Sequence, residues 1–236
     1  LGCKPDEVQC LAAGECLRRL KESKLLAVRS QEAGPATDFL GITIQPVAFA
    51  ELNEAWKNAD KDEARAVADQ WTKNARTVEG VSRETLETSA AMYLAEKAVL
   101  KRHGANAISV NCLGGFYGGH IHAYPCLGFF ELNNEGLVGG CECDVRSAST
   151  MVALGALTGG RPGYISDPVI DTSKNQIIYA HCVAPTKMFG PAGQTNPFEI
   201  LTHSEDRRGA SVRSFLPAGY MTTTLEIHPV RREILC

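Results

Sequence analysis

Between Lys24 and Leu157 the chain alternates short apolar runs with longer amphipathic ones, and that rhythm restricts the fold more than any other feature. KLLAVR, residues 24–29, reads as a short buried strand, QEAGPATDF as a loop and GITIQPVAF as a second strand. The stretch 60–76 places Ala64, Val67, Ala68, Trp71 and Ala75 on one side of a helix. Ser82 suits the N-cap of a long helix over 83–103, whose face carries Leu86, Ala90, Tyr93 and Leu94. Gly104 closes that helix, because glycine accepts the left-handed conformation at a helix C-terminus. ANAISVNC, 105–112, is a buried strand, 137–143 another, and 145–157 the next helix. Upstream, Pro5, Asp6 and Glu7 suit a helix opening, with Val8, Leu11, Ala12, Cys16 and Leu20 as its apolar stripe. Strands and helices in this order predict an α/β layered domain with a mostly parallel sheet.

TGGRPG, residues 158–163, breaks the pattern and marks a domain boundary, giving 1–158 and 159–236. Beyond it YISDPVI, NQIIYAHCV, SVRSFL and MTTTLEIH read as strands, so the second part is mainly β. The formal charge of −3 offers no basic surplus to neutralise phosphates, which argues against nucleic acid or an anionic membrane as partner. No apolar run approaches the length of a membrane span. Nine cysteines, odd in number and uneven in spacing, suggest reduced thiols and a cytoplasmic protein rather than a disulfide framework. The opening LGCKPD has neither Met nor the plan of a signal peptide, which predicts a natural beginning further upstream.

The chemistry concentrates in CECDV, residues 141–145. In a strand, neighbours face opposite ways, so Glu142 and Asp144 would share one face and Cys141 and Cys143 the other. Asp144, at the start of the next helix, reads as its N-cap, and the cysteines as small core residues. Glu142, a carboxylate near the end of a buried strand, needs a partner. Asp167, before Pro168, is either a turn initiator or a second acid, and His181 in AHCVAP either a core imidazole or a ligand. Two carboxylates and an imidazole suit Mn²⁺, Mg²⁺ or Fe²⁺. The Gly-, His- and aromatic-rich stretch 113–136 reads as a loop, with His120, His122, Tyr117 and Tyr124 as a substrate rim or a plain surface. Its HxH also occurs in zinc hydrolases. Arg207 and Arg208 form a charged turn, either solvated or placed to meet a phosphate or sulfonate.

The run from NCLGGFYGG through CECDVRSASTMVALGALTGGRPGYISDPV to IIYAHCVAP resembles the L-fucose isomerase and L-arabinose isomerase superfamily. The likeness rests on a cysteine-ended strand, Pro125-Cys126-Leu127 leading to Asn-Glu-Gly, an acidic strand-to-helix turn, a strand-end Asp and a His-Cys pair. It implies a Mn²⁺-dependent aldose–ketose isomerase acting on a monosaccharide through an enediol. It also implies a homo-oligomer, trimer or hexamer, whose subunit has two Rossmann-like domains followed by a β-rich one. Residues 1–158 would be the second Rossmann-like domain and 159–236 the opening of the last. Glu142 and Asp167 would be metal ligands and proton-transferring groups, and His181 a further ligand. The chain departs from the family in lacking the first Rossmann-like domain and the Asn-His-His or Asn-His-Gly segment near the end, and neither His203 nor His228 matches that segment's histidine. A non-catalytic sugar- or metal-binding remnant and a metal-dependent hydrolase are the alternatives. Fucose, arabinose and modified hexoses all fit as substrates.

Overall fold

The computed structural model describes residues 3–4, 6–30 and 32–236. Its first half is α1 (Ala13–Glu22), β1 (Lys24–Ser30), β2 (Thr37–Phe39), β3 (Ile42–Ala48), α2 (Phe49–Lys57), α3 (Lys61–Asn74), β4 (Val78–Glu79) and α4 (Arg83–His103). There follow β5 (Ala107–Val110), α5 (Cys112–Tyr117), α6 (Cys126–Asn134), β6 (Val138–Gly140) and α7 (Val145–Leu157). The remainder is β7 (Asp167–Asp171), β8 (Gln176–Ala180), β9 (Phe198–Leu201), β10 (Ser211–Ser214), β11 (Glu226–His228) and β12 (Glu233–Leu235).

The main sheet has the order β2-β3-β1-β5-β6. β3, β1, β5 and β6 run parallel, and β2 adds antiparallel to the edge. Leu25, Leu26, Ala27 and Val28 of β1 are all fully buried, as a central parallel strand covered on both faces requires. One face packs Leu26, Val28, Ile108 and Val110 against α2, α3, α4 and α6. The other packs Leu25, Ala27 and Ala107 against α1 and α7. The three smaller sheets are β10-β9-β4, β7-β8 and β11-β12, with antiparallel pairing except for β4 on β9. The protein is therefore an α/β parallel sheet followed by mainly β structure. The β10-β9-β4 sheet takes strands from either side of residue 158.

Local signals place several boundaries. Asp60 caps α3 through the backbone N–H groups of Asp62 and Glu63, and Ser82 caps α4 through that of Thr85. Gly104 ends α4 at φ 56°. Three expectations are corrected. The first helix starts at Ala13, because the backbone before it bonds elsewhere: Leu11 N–H donates to the Leu157 carbonyl at 2.7 Å. Pro5 lies outside the described residues. The stretch 113–136 is not a loop but holds α5 and α6, and nearly every residue of α6 is buried, so tertiary burial overrides a glycine-rich composition. The strand expected over 137–143 ends at Gly140.

Candidate functional site

The site grows from the carboxyl end of β6, the end of a parallel sheet where open α/β folds hold ligands. β6 is an edge strand, and α6 covers its open side. Asn133 accepts from Gly139 N–H at 2.9 Å and donates to the Gly139 carbonyl at 3.1 Å. A side chain at 139 would collide with Phe129, so only glycine permits this approach. Ser109 Oγ donates to the carbonyls of Gly140 and Cys141 at 3.0 and 3.2 Å. Beyond Cys141 the chain turns sharply: Glu142 and Cys143 both adopt left-handed conformations, φ 62° and 53°. Two-fold alternation therefore does not apply to CECDV, and the division into a carboxylate face and a thiol face is corrected. The turn is held by Cys143 N–H on the Val110 carbonyl at 3.0 Å and Asp144 N–H on that of Cys141 at 3.2 Å. Asp144 then caps α7, accepting from Ser147 N–H at 3.0 Å.

This turn presents Glu142 to the hairpin of the β part. Asp167 opens β7, and His181 follows β8 directly. A carboxylate oxygen of Glu142, one of Asp167 and a ring nitrogen of His181 all lie within 4.8 Å of one another. Both acids are exposed, and His181 is half-buried. His181 Nδ1 lies 2.7 Å from the Ile165 carbonyl, and Nε2 is 3.9 Å from Asp167 Oδ2. Partial burial and then the Asp167 charge push the Glu142 carboxyl above its ordinary range, against the pull of His181. Burial lowers the His181 imidazole, but Cys182, Ile165 and Asp167 together outweigh it and bring it to about 9.

The expected rim residues are spread over two surroundings. His120 stacks on Phe49 with ring centres 5.5 Å apart, and exposed His122 tilts against Trp56 at 6.1 Å, so both pack on α2. Tyr117 is exposed at the end of α5. Tyr124 is buried, its ring on Phe116 at 4.2 Å and its hydroxyl donating to the Asp206 carboxylate. Arg207 and Arg208 lie exposed on the same loop as Asp206.

Sequence reasoning missed a thiol and imidazole cluster immediately behind His181. Sγ of Cys126, Sγ of Cys182 and a ring nitrogen of His203 lie mutually within 4.8 Å, and so do ligand atoms of Cys141, His181 and Cys182. Hydrogen bonding from Cys126 and Cys141, opposed by burial, holds the Cys182 thiol well below its ordinary range. The available signal was the His-Cys pair at 181–182 together with a cysteine total far above ordinary usage.

No protein-family model matches the chain. It is similar to the sulfoquinovose isomerase of Priestia megaterium, 27% identical over 189 residues that make up 78% of this chain and 40% of that protein. The sulfoquinovose isomerase of Priestia aryabhattai matches to the same extent. That of Alkalicoccus urumqiensis is 24% identical over 139 residues, 58% of this chain and 31% of its own. The chain thus spans 40% or less of the length of these curated relatives, and over most of its own length it is similar to sulfoquinovose isomerases.

Proposed function

We propose that the chain carries the metal-binding part of an aldose–ketose isomerase acting on a monosaccharide. The convergence of Glu142, Asp167 and His181 carries this reading. The names of the similar proteins support the reaction class. Two carboxylates and an imidazole suit a divalent ion of the Mn²⁺ type, and a cation would relieve the repulsion between Glu142 and Asp167. The hydrogen bond from His181 Nδ1 to Ile165 would orient the ring and leave Nε2 as ligand. When bound, the ion would act as a Lewis acid toward two adjacent sugar oxygens.

The reaction moves a proton between neighbouring carbons through an enediol. Glu142, with its raised proton affinity, is suited to take that proton and return it. Asp167, exposed and nearby, is the second acid. In this reading residues 1–158 are the second Rossmann-like domain of a longer subunit and 159–236 the opening of its β-rich one. The relatives' substrate, sulfoquinovose, and exposed Arg207 and Arg208, which follow the Asp206 that Tyr124 bonds, support an acidic sugar over a neutral one.

The test is turnover with Mn²⁺ on a panel of L-fucose, L-arabinose and sulfoquinovose, using the full-length protein. Glu142→Gln is expected to lower turnover of the accepted sugar by at least about 100-fold. A variant as active as the wild type would refute the assignment. Mn²⁺ binding with no turnover on any aldose would point to a non-catalytic sugar-binding role, and Zn²⁺-dependent hydrolysis of esters or amides to a hydrolase.

A further inference from the structure

Buried Cys126 and His203 and half-buried Cys182 belong to none of the chemistry proposed above, and their arrangement suits a different kind of ion. Cys126 begins α6, Cys182 lies two residues beyond β8 and His203 two beyond β9. The two sulfurs are 3.6 Å apart. In a tetrahedral site with metal–sulfur bonds of about 2.3 Å and metal–nitrogen bonds of about 2.0 Å, ligand atoms stand roughly 3.5–3.8 Å from one another. The sulfur pair already meets that spacing, and the full set, mutually within 4.8 Å, needs only a small contraction.

The histidine is held in place. His203 N–H donates to the Arg208 carbonyl at 2.8 Å, which closes the loop on which the ring sits. Its Nδ1 faces that loop, 3.3 Å from Glu205 N–H and 3.9 Å from Asp206 Oδ1. That leaves Nε2 as the ligating nitrogen; ligation there would move the ring proton to Nδ1, which would give up the Glu205 N–H from which it now accepts and turn to the Asp206 carboxylate, 3.9 Å away. Tyr124 anchors Asp206 in turn through its hydroxyl.

We propose that Cys126, Cys182 and His203 form a second metal site, for Zn²⁺, that ties α6 of the α/β half to two loops of the β half. Two thiolates balance the ion's charge, which a buried site needs. Three protein ligands leave a fourth position, and Cys141 Sγ lies within 4.8 Å of Cys182 Sγ. Cys182 and His181 are consecutive, so this soft site stands back to back with the hard carboxylate site. Thiolates select zinc and carboxylates select Mn²⁺, which lets two adjacent sites hold different ions. The inference does not depend on the isomerase reading.

Cobalt separates the two sites. Adding Co²⁺ alone to the reduced full chain is expected to produce the near-ultraviolet charge-transfer band of thiolate coordination, and Zn²⁺ is expected to abolish it by displacement. Cys126→Ser and His203→Ala should each weaken Zn²⁺ binding by at least about 100-fold, since even supporting residues of metal sites cost about 10–100-fold. Glu142→Gln should leave the band unchanged, and Zn²⁺ should raise the wild type's melting temperature. A wild-type cobalt spectrum without a thiolate band overturns the proposal, whatever the variants do. So does a band that survives both Cys126→Ser and His203→Ala.

Discussion

The most informative single residues are those whose backbone contradicts their chemistry. Leu40 and Gly41 form the two-residue turn between β2 and β3, with φ of 56° and 87°. Positive φ at both central positions is the signature of the tight hairpin turn that matches strand twist, where Asn-Gly is the favoured pair. Leucine in the left-handed region costs about 1–2 kcal/mol, and this one is exposed, so it recovers little by packing. Leu40→Asn is expected to stabilise the protein by about 0.5–1 kcal/mol in urea unfolding, because asparagine tolerates the conformation. An unchanged or lower midpoint would show that the Leu40 side chain makes a stabilising contact. Glu142 and Cys143 share the left-handed backbone but form the turn of the candidate site, where strain accompanies function more often than elsewhere.

Between elements, the contact of α4 with α6 rests on an unusual pair. Glu96 is fully buried on α4, and among the described residues neither of its oxygens has a hydrogen-bond partner. Gly128 of α6 lies against it so closely that an added Cβ would strike the carboxyl group. Burial pushes the Glu96 carboxyl well above its ordinary range, so it is held as the neutral acid. The sign of the linkage follows. A group whose folded-state proton affinity is raised gives its full stability below the unfolded value near pH ~4.3, and that stability falls as pH climbs toward the folded value. Glu96→Gln, which cannot ionise, should match the wild type near pH 4 and exceed it increasingly toward pH 8 in urea unfolding. Parallel pH profiles would show that Glu96 is not held neutral by burial. Gly128→Ala should destabilise by about 1–3 kcal/mol through overpacking.

For the molecule as a whole, the β7-β8 hairpin is the exposed member. Val169, Ile170, Ile177 and Ile178 are 58%, 71%, 53% and 45% exposed. A two-stranded ribbon is marginal on its own, and this one carries Asp167 at its start and His181 just past its end. The family resemblance implies a homo-oligomer, and we propose that a second copy of the chain covers these apolar side chains, which would also steady the site. Ile170 and Ile177 are directly paired across the strands, so Ile170→Lys with Ile177→Lys should place charge in the middle of that contact. Sedimentation is expected to show a homo-oligomer for the wild type and a shift to monomer for the double variant. A wild type that sediments as a monomer at all concentrations would remove this proposal. No helix among the described residues is long and apolar enough to cross a membrane.

What the sequence determined by itself was local. The Ser82 cap, the apolar face of 83–103 and Gly104 define α4, because capping and periodicity act within a few residues. Likewise β1 was legible as an unbroken apolar run, and Asp144 as a cap, since each depends on its immediate neighbours. Glu142, Asp167 and His181 could be singled out by residue type and family resemblance, but their meeting within 4.8 Å depends on how the turn after β6 is set against the hairpin. Tertiary structure decided the rest. α6 is helical because a buried backbone must bond to itself, and no pattern in PCLGFFELNN announces that. The left-handed turn at Glu142 exists because Cys143 N–H bonds to Val110 on the neighbouring strand, 33 residues back in the chain. Cys126, Cys182 and His203 are far apart in sequence, and only the packing of α6 beneath the β8 and β9 loops brings them together. Short-range hydrogen bonding and periodicity leave marks along the chain, while a site built from three separate segments is specified only by their packing.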